Sequence, residues 1–242
     1  MDLCATIRVG RFPTMRTALF WDFDGTLIYA NESFYESFRK ALQENQAVLP
    51  EAQLYDFLHA HVTWHNPDRC FKERTGELWW QDLQDAMKAF CLSHGMSGKA
   101  AENTASRFRE IVISSEIYTP YSDAAETLRI CKERGFDSYI LSSNFPELMQ
   151  VADDFGFSPY LSGCLLSADI GWEKPRPELF LEAMRLAGDY DEYIMIGDNP
   201  AKDIAGGNAA GMKTVYVHPR PGTLDTPCDH IVQELCDIPS IL

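Results

Sequence analysis

The sequence is poor in basic residues. Its 242 residues include 21 lysines and arginines against 36 aspartates and glutamates, which gives a formal charge of -15 at pH 7. A chain this acidic repels nucleic acids and anionic membrane surfaces at long range, so we expect neither as a partner. If the substrate is itself an anion, a local arrangement of cations has to attract it, because the overall field opposes its approach.

Long apolar runs and paired cysteine motifs are also lacking. No stretch approaches the roughly 18 apolar residues that a membrane-spanning helix needs. No apolar block follows the arginines near the N-terminus, as it does in a secretory signal. The seven cysteines include no Cys-x-x-Cys pair, and most stand among apolar residues, which is typical of reduced thiols. These absences favour a cytoplasmic location.

Hydrophobic periodicity separates a helical insert from the rest of the chain. Apolar residues recur at spacings of three and four from about residue 31 to residue 114, which predicts several amphipathic helices. Asn103 or Thr104 is expected to cap the last of them. We therefore expect a helical cap over residues 28–115, inserted into a catalytic core formed by residues 1–27 and 116–242.

In the core, helical and strand patterns alternate, which predicts an α/β fold with a doubly wound parallel sheet, a Rossmann-like core. The first strand begins just after Met15, so residues 1–14 are interpreted as an N-terminal extension, which is either ordered or the product of an upstream start codon. Later strands are predicted at about 138–141, 164–167, 193–196, 214–217 and 230–232. Core helices are predicted at about 122–134, 146–155, 177–187 and 201–210.

The first strand ends at two carboxylates. The apolar run Ala18–Trp21 is followed by Asp22 and Asp24, whose side chains leave an extended chain on the same side, and then by Gly25. Two such like charges are costly unless a cation lies beside them or one of them holds a proton. The alternative is an acidic surface turn after a buried strand.

Other polar residues follow the later strands. They are Ser143 and Asn144, then Lys174, then Asp198 and Asp203. Ligands of an open parallel sheet bind beyond the carboxyl ends of its strands, so we expect these side chains to meet at one edge. Carboxylates with room for water and phosphate are the ligands that Mg²⁺ prefers. The sequence therefore predicts a magnesium site.

The same edge is suited to a phosphoryl group. Pro146 opens the helix that follows Ser143, so free backbone N–H groups are expected to point at an anion, and Lys174 adds a positive charge. Asp22 can then attack phosphorus as a covalent nucleophile. Asp24, kept partly protonated by its acidic neighbours, can protonate the leaving oxygen and later activate water.

These residues resemble a known family. The four motifs of the haloacid dehalogenase-like hydrolases occur here in order, over about residues 17–235, as Asp22-Phe23-Asp24-Gly25-Thr26, Ser143-Asn144, Lys174-Pro175-Arg176-Pro177 and Gly197-Asp198-Asn199-Pro200-Ala201-Lys202-Asp203. The resemblance implies a Rossmann-like core, dependence on Mg²⁺ and an aspartyl-phosphate intermediate. It also implies that the helical insert is the family's type I cap.

The resemblance further assigns roles by position. Asp22 is the nucleophile, and Asp24 is the acid and base, whose backbone carbonyl also reaches the metal. Asp198 is a metal ligand, and Asp203 is a ligand or orients Lys174. The expected metal ligands are thus Asp22, Asp24, Asp198 and Asp203, and the expected substrate-binding residues are Ser143, Asn144, Lys174, Gly25 and Thr26.

The leading hypothesis is a Mg²⁺-dependent phosphatase of a small phosphorylated metabolite, acting as a monomer or homodimer. The presence of Asp24 favours phosphate chemistry, because the family's dehalogenases lack that second acid. The first alternative is a phosphomutase or phosphotransferase that uses the same aspartyl phosphate. The second is a binding or regulatory protein that kept the fold.

Two groups in the insert have open interpretations. Arg69, Lys72 and Arg74 form a basic cluster in an acidic chain, which is either a solvated helix end or a substrate-binding group. His59, His61 and His65 are interpreted as part of an exposed helix end rather than a metal site.

Overall fold

The computed structural model describes residues 15–220 and 226–242, so the predicted N-terminal extension lies outside the described residues. Within them, six parallel strands form a sheet in the order β3-β2-β1-β4-β5-β6. The strands are β1 (Thr17–Trp21), β2 (Asp137–Ser142), β3 (Leu161–Leu166), β4 (Glu192–Gly197), β5 (Lys213–Val217) and β6 (His230–Val232). The predicted doubly wound parallel sheet is confirmed.

Strand β1 lies at the centre of the sheet. All five of its residues are buried, as expected for a strand that is covered by helices on both faces. Trp21, its last residue, is in register with Ile140 of β2 and with Ile196 of β4. Because the neighbouring strands end at nearly the same level, the residues that follow β1, β2 and β4 come together at one edge.

The expected insert lies between β1 and β2 and contains four long helices. They are α1 (Ser33–Glu44), α2 (Glu51–His61), α3 (Glu77–Ser93) and α4 (Gly98–Val112). The two chain segments that join the insert to the sheet run side by side. Tyr29 donates from its backbone N–H to Thr119 at 2.9 Å, and Tyr121 donates to Leu27 at 3.0 Å.

The start of α4 corrects one prediction. The helix begins at Gly98, and the hydroxyl of Ser97 accepts a hydrogen bond of 3.2 Å from the backbone N–H of Ala100. Asn103 and Thr104 therefore lie inside the helix, and the predicted cap there is wrong. A serine ahead of the helix satisfies a free N–H group of the first turn, which a residue in the interior cannot do.

The remaining helices cover the sheet. They are α5 (Ala124–Glu133), α6 (Leu148–Asp154), α7 (Ser167–Ile170), α8 (Pro177–Ala187), α9 (Ala205–Ala209) and α10 (Ile238–Ile241). Helix α8 has the predicted bounds, whereas α6 begins two residues later than predicted. The predicted helix over 201–210 is divided into a wide π-type turn, Pro200–Ile204, and the short α9.

No helix among residues 15–220 and 226–242 combines the length and the apolar character that crossing a membrane requires.

Candidate active site

A cavity of about 340 Å³ lies where the carboxyl ends of the strands face the insert. Seven of the nine residues predicted for the site line this cavity: Asp22, Asp24, Ser143, Asn144, Lys174, Asp198 and Asp203. The carboxylates, the hydroxyl and the lysine that follow separate strands in the sequence thus share one site.

Lys174 connects two of the carboxylates. Its Nζ lies 2.8 Å from Asp22 Oδ1 and 2.7 Å from Asp203 Oδ1, and its side chain is almost fully buried. Burial alone lowers the pKa of Lys174, but the adjacent Asp203 and Asp22 outweigh it and raise that pKa. The lysine is therefore a permanent cation that fixes the orientation of Asp22.

Asp24 lines the same cavity, and its carboxyl group has a raised pKa. Burial, together with the Asp22 carboxylate, raises the pKa of Asp24 to about 7. The side-chain Nδ2 of Asn144 donates a hydrogen bond of 2.6 Å to Asp24 Oδ2, which acts in the opposite direction. Asp24 is thus able to hold or release a proton near neutral pH, as general acid–base chemistry requires.

Asp198 completes a cluster of three acids. Carboxylate oxygens of Asp22, Asp198 and Asp203 lie within 4.8 Å of one another. Burial and the nearby Asp22 and Asp203 raise the pKa of Asp198 to about 7, against the effect of Arg220, whose Nη2 lies 3.3 Å away. Buried carboxylates that repel one another in this way are an oxygen-rich donor set that fits a divalent cation.

The turn after β4 places Asp198 and Asp203 on one side of the cavity. Asn199 Oδ1 accepts hydrogen bonds of 3.1 Å from the backbone N–H groups of Ala201 and Lys202. Asp203 Oδ2 in turn accepts a hydrogen bond of 3.0 Å from the backbone N–H of Asn199. These bonds close the wide turn 200–204 and hold both acids beside Asp22.

Gly25 and Thr26 do not line the cavity, although both were predicted to bind substrate. Gly25 has φ +87°, and a Cβ atom there would lie 2.5 Å from Asp198 Oδ2. The glycine thus leaves room for the Asp198 carboxylate. Thr26 is fully buried in the turn that follows β1.

The structure also changes the expected role of the backbone near Ser143. The N–H of Asn144 donates to Ser167 Oγ at 3.1 Å, and the N–H of Phe145 donates to Asn144 Oδ1 at 3.1 Å. These two groups are therefore not free to bind an anion as predicted. The hydroxyl of Ser143 lines the cavity and accepts from the backbone N–H of Lys174 at 3.2 Å.

The sequence model of the haloacid dehalogenase-like hydrolase family matches residues 17–211. The chain belongs to this hydrolase family. It is 27% identical over 233 residues to the haloacid dehalogenase-like hydrolase domain-containing protein 3 of Homo sapiens, with 91% of each chain covered. It is 28% identical over 207 residues to the pyrophosphatase PpaX of Halalkalibacterium halodurans, covering 84% of this chain and 83% of that protein.

A solved structure supports the same fold. The HAD-hydrolase YfnB from Bacillus subtilis, bound to magnesium, superimposes with a TM-score of 0.68 at 19% identity, covering 94% of this chain and 98% of that one. The expected Rossmann-like core with a helical cap between β1 and β2 is confirmed.

In this hydrolase, sequence reasoning missed most of the residues that the insert contributes. The insert lines the cavity with aromatic and imidazole side chains, including Phe34, Tyr55, His59, Trp64 and His65. The two histidines are exposed, as predicted, but they also form part of the cavity wall. Their rings stack with centroids 3.9 Å apart.

The basic cluster of the insert does not reach the site. None of Arg69, Lys72 and Arg74 lines the cavity. Arg74 Nε lies 3.0 Å from Asp82 Oδ2 on α3, which agrees with a solvated helix end. Among the described residues that line the cavity, the lysine or arginine side chain besides Lys174 is instead Lys202 of the core, which immediately precedes Asp203 in the fourth motif.

Proposed function

We propose that this hydrolase is a Mg²⁺-dependent phosphatase that releases phosphate from a small phosphorylated metabolite through an aspartyl phosphate on Asp22. The observation that carries the proposal is the second carboxylate, Asp24, which lines the same cavity as Asp22 and has a pKa of about 7. Hydrolysis of a phosphate ester needs both a nucleophile and a group that exchanges protons. The relationship to a protein named as a pyrophosphatase supports the same class of chemistry.

The acid cluster is proposed to hold the metal. Asp22 and Asp198 would bind Mg²⁺ together with the backbone carbonyl of Asp24, and Asp203 would either join them or orient Lys174. Asp203 already lies 2.7 Å from Lys174 Nζ, which favours the orienting role. When bound, the ion supplies positive charge that offsets the acids and the phosphoryl oxygens.

In the first step, a carboxylate oxygen of Asp22 forms a bond to phosphorus while the bond from phosphorus to the ester oxygen breaks. Lys174 keeps the Asp22 carboxylate oriented for this attack. Asp24 gives its proton to the departing oxygen, so an alcohol leaves and Asp22 carries the phosphoryl group. Lys174 and the Ser143 hydroxyl stabilise the charge on the phosphoryl oxygens.

In the second step, Asp24 acts as a base. It takes a proton from a water molecule, whose oxygen attacks phosphorus, and the bond between phosphorus and the Asp22 oxygen breaks. Inorganic phosphate leaves, and both aspartates return to their starting protonation states. A group whose pKa is close to 7 serves both directions of proton transfer.

The test is release of phosphate from p-nitrophenyl phosphate. We expect turnover with Mg²⁺, loss of turnover in excess chelator, and a loss of at least about 10³-fold in Asp22→Asn, because no nucleophile remains. Asp154→Asn is the matched control, since Asp154 is exposed on α6 and does not line the cavity. Full activity of Asp22→Asn would overturn the mechanism.

Product analysis separates this function from the phosphotransferase alternative. A phosphatase transfers the phosphoryl group to water, so inorganic phosphate equals the ester consumed. Phosphate recovered on an added alcohol or sugar acceptor would show transfer instead.

A further inference from the structure

Lys202 is a second lysine in the cavity, and its environment differs from that of Lys174. Both line the cavity. Lys174 is ion-paired with Asp22 and Asp203. Lys202 is half-buried, and within the described part of the chain its ammonium group has neither an ion pair nor a hydrogen bond. A partly desolvated cation without a partner is unusual in a chain with a net charge of -15.

The backbone of Lys202 is fixed. Its N–H donates to Asn199 Oδ1 at 3.1 Å, in the turn that also positions Asp203. The side chain is close enough to Asp24 and His65 to affect the pKa of each. Lys202 and Asp24 thus line the same cavity as His59 and His65 of the insert.

The histidines make this side of the cavity a suitable place for an anion. Partial burial, the stacked His59 ring and Lys202 lower the pKa of His65 to about 4. His65 is consequently neutral near pH 7 and offers a ring N–H without competing with Lys202 for an anionic partner. Beside the neutral His65, Lys202 therefore supplies the positive charge in this part of the cavity.

The remaining acid of the insert in the cavity already has a partner. Glu32 Oε2 accepts a hydrogen bond of 2.6 Å from the hydroxyl of Tyr55. Asp22, Asp198 and Asp203 lie on the side of the cavity that is proposed to hold the metal and the phosphoryl group. Of the two lysines that line the cavity among the described residues, Lys174 is paired with Asp22 and Asp203, so a negative group on the leaving part of the substrate is attracted toward Lys202.

We propose that Lys202, His59 and His65 form a subsite for a second anionic group on the substrate, either a carboxylate or a second phosphate. The inference rests on the proposed phosphatase function and narrows it to monoesters whose leaving alcohol is negatively charged. The cavity of about 340 Å³ has room for a small alcohol of this kind. The subsite supplies the local positive charge with which an acidic protein attracts an anionic substrate.

The experiment compares matched esters. Ethyl phosphate, phosphoglycolate and 2-aminoethyl phosphate present a neutral, a carboxylate and an ammonium group on the same short chain. Propyl phosphate and propane-1,3-diol bisphosphate test a second phosphate in the same way. We expect kcat/KM of the wild type to be highest for an anionic ester and lowest for the ammonium ester. The anionic ester whose kcat/KM exceeds that of its neutral counterpart by the larger factor shows whether the subsite binds a carboxylate or a phosphate.

Three variants test whether Lys202 produces the preference for anionic esters. In Lys202→Met, the ratio of kcat/KM between the anionic and the neutral ester should fall about 10- to 100-fold, the value of one charge-assisted hydrogen bond. Taking the ratio cancels any effect on Asp24, which acts on both esters. Lys202→Arg should restore much of the ratio. Lys99→Met removes the same charge from an exposed position outside the cavity and should leave the ratio unchanged.

Failure of the subsite is distinct from failure of the proposed function. Equal turnover of anionic and neutral esters, or a preference that survives Lys202→Met, would leave the phosphatase intact and overturn the subsite. If the wild type hydrolyses neither these esters nor p-nitrophenyl phosphate, the phosphatase proposal fails. Calorimetric titration of phosphoglycolate and ethyl phosphate into Asp22→Asn, with and without Lys202→Met, then decides the subsite from binding alone. Equal affinities of the two esters would overturn it.

Discussion

Trp80 of the insert donates a hydrogen bond of 2.7 Å from its indole Nε1 to Oε2 of Glu147 in the core. The other oxygen of Glu147 lies 2.5 Å from Nη2 of Arg109 on α4, and the Arg109 guanidinium lies 5.2 Å from the Trp80 ring centre. One core carboxylate thus holds two helices of the insert. Because both charged side chains are largely shielded from water, this contact is worth more than a surface ion pair.

Glu147→Ala should therefore lower the free energy of unfolding by about 1–3 kcal/mol, because it leaves the Trp80 N–H without its partner and leaves Arg109 paired with Glu77 alone. Urea denaturation checks this value. Glu102→Ala is the control, since it breaks only the exposed ion pair with Lys88 and should cost at most about 1 kcal/mol. A similar loss of unfolding free energy in both variants would show that Glu147 contributes no more to stability than an exposed ion pair does.

The residues that follow strands were predictable from the sequence. Each apolar run ends abruptly at Asp22, Ser143 or Asp198, and parallel pairing brings such ends to one edge whatever the helices between them do. Periodicity also located the insert, because its helices are amphipathic. These features depend on local pattern and on sheet geometry alone.

The part of the cavity wall that the insert contributes could not be predicted in the same way. Whether His59 lines the cavity depends on how α2 is oriented against the sheet edge, and this packing leaves no short-range signal. Lys202 carried a usable signal, since it precedes Asp203 directly, but a lysine in a turn is ordinarily solvated. The contact of Gly25 with substrate stays a prediction, whereas nothing in the sequence indicated that its lack of a side chain leaves room for the Asp198 carboxylate.

Gly25→Ala should disable the site rather than only weaken the fold. A methyl group there would lie 2.5 Å from Asp198 Oδ2, so the carboxylate must move. A displacement of about 1 Å in a positioned group costs on the order of 10²-fold in rate. We expect a loss of this size in phosphate release with Mg²⁺.

Gly95→Ala is the matched control for this substitution. Gly95 has a similar positive φ of +82°, but no atom lies within 4 Å of its added methyl group. Both variants therefore carry the backbone strain of a left-handed alanine, about 1–3 kcal/mol. Equal loss of activity in the two variants would assign the effect to strain and not to Asp198.

The acid cluster predicts how stability depends on pH and metal. Burial and like charge raise the folded-state pKa of Asp198 to about 7 and that of Asp203 to about 6. A raised carboxylate pKa means that the metal-free folded state loses stability as the pH rises from about 4 to about 7, because the unfolded chain ionises first. Bound Mg²⁺ should offset this loss.

We therefore expect the Tm of the chelator-treated protein to fall between pH 5 and pH 8, and the increase in Tm on adding Mg²⁺ to be larger at pH 8. Asp198→Asn should show a shallower fall and a smaller response to Mg²⁺. Differential scanning fluorimetry measures all four conditions. A Tm that responds equally to Mg²⁺ at both pH values would contradict a metal site built on these acids.

Asp24→Asn should separate the two proposed steps. With p-nitrophenyl phosphate the leaving group needs no proton, so Asp22 still attacks phosphorus, whereas hydrolysis of the aspartyl phosphate lacks its base. A rapid-quench experiment should then show a burst of about one p-nitrophenolate per enzyme, followed by turnover slowed about 10²- to 10⁴-fold. With ethyl phosphate, whose oxygen must be protonated, the first step also slows and no burst should form. Asp154→Asn should show wild-type kinetics on both esters. If Asp24→Asn loses activity equally on the two esters and gives no burst on either, Asp24 acts chiefly by holding the metal site together, and another group must supply the proton.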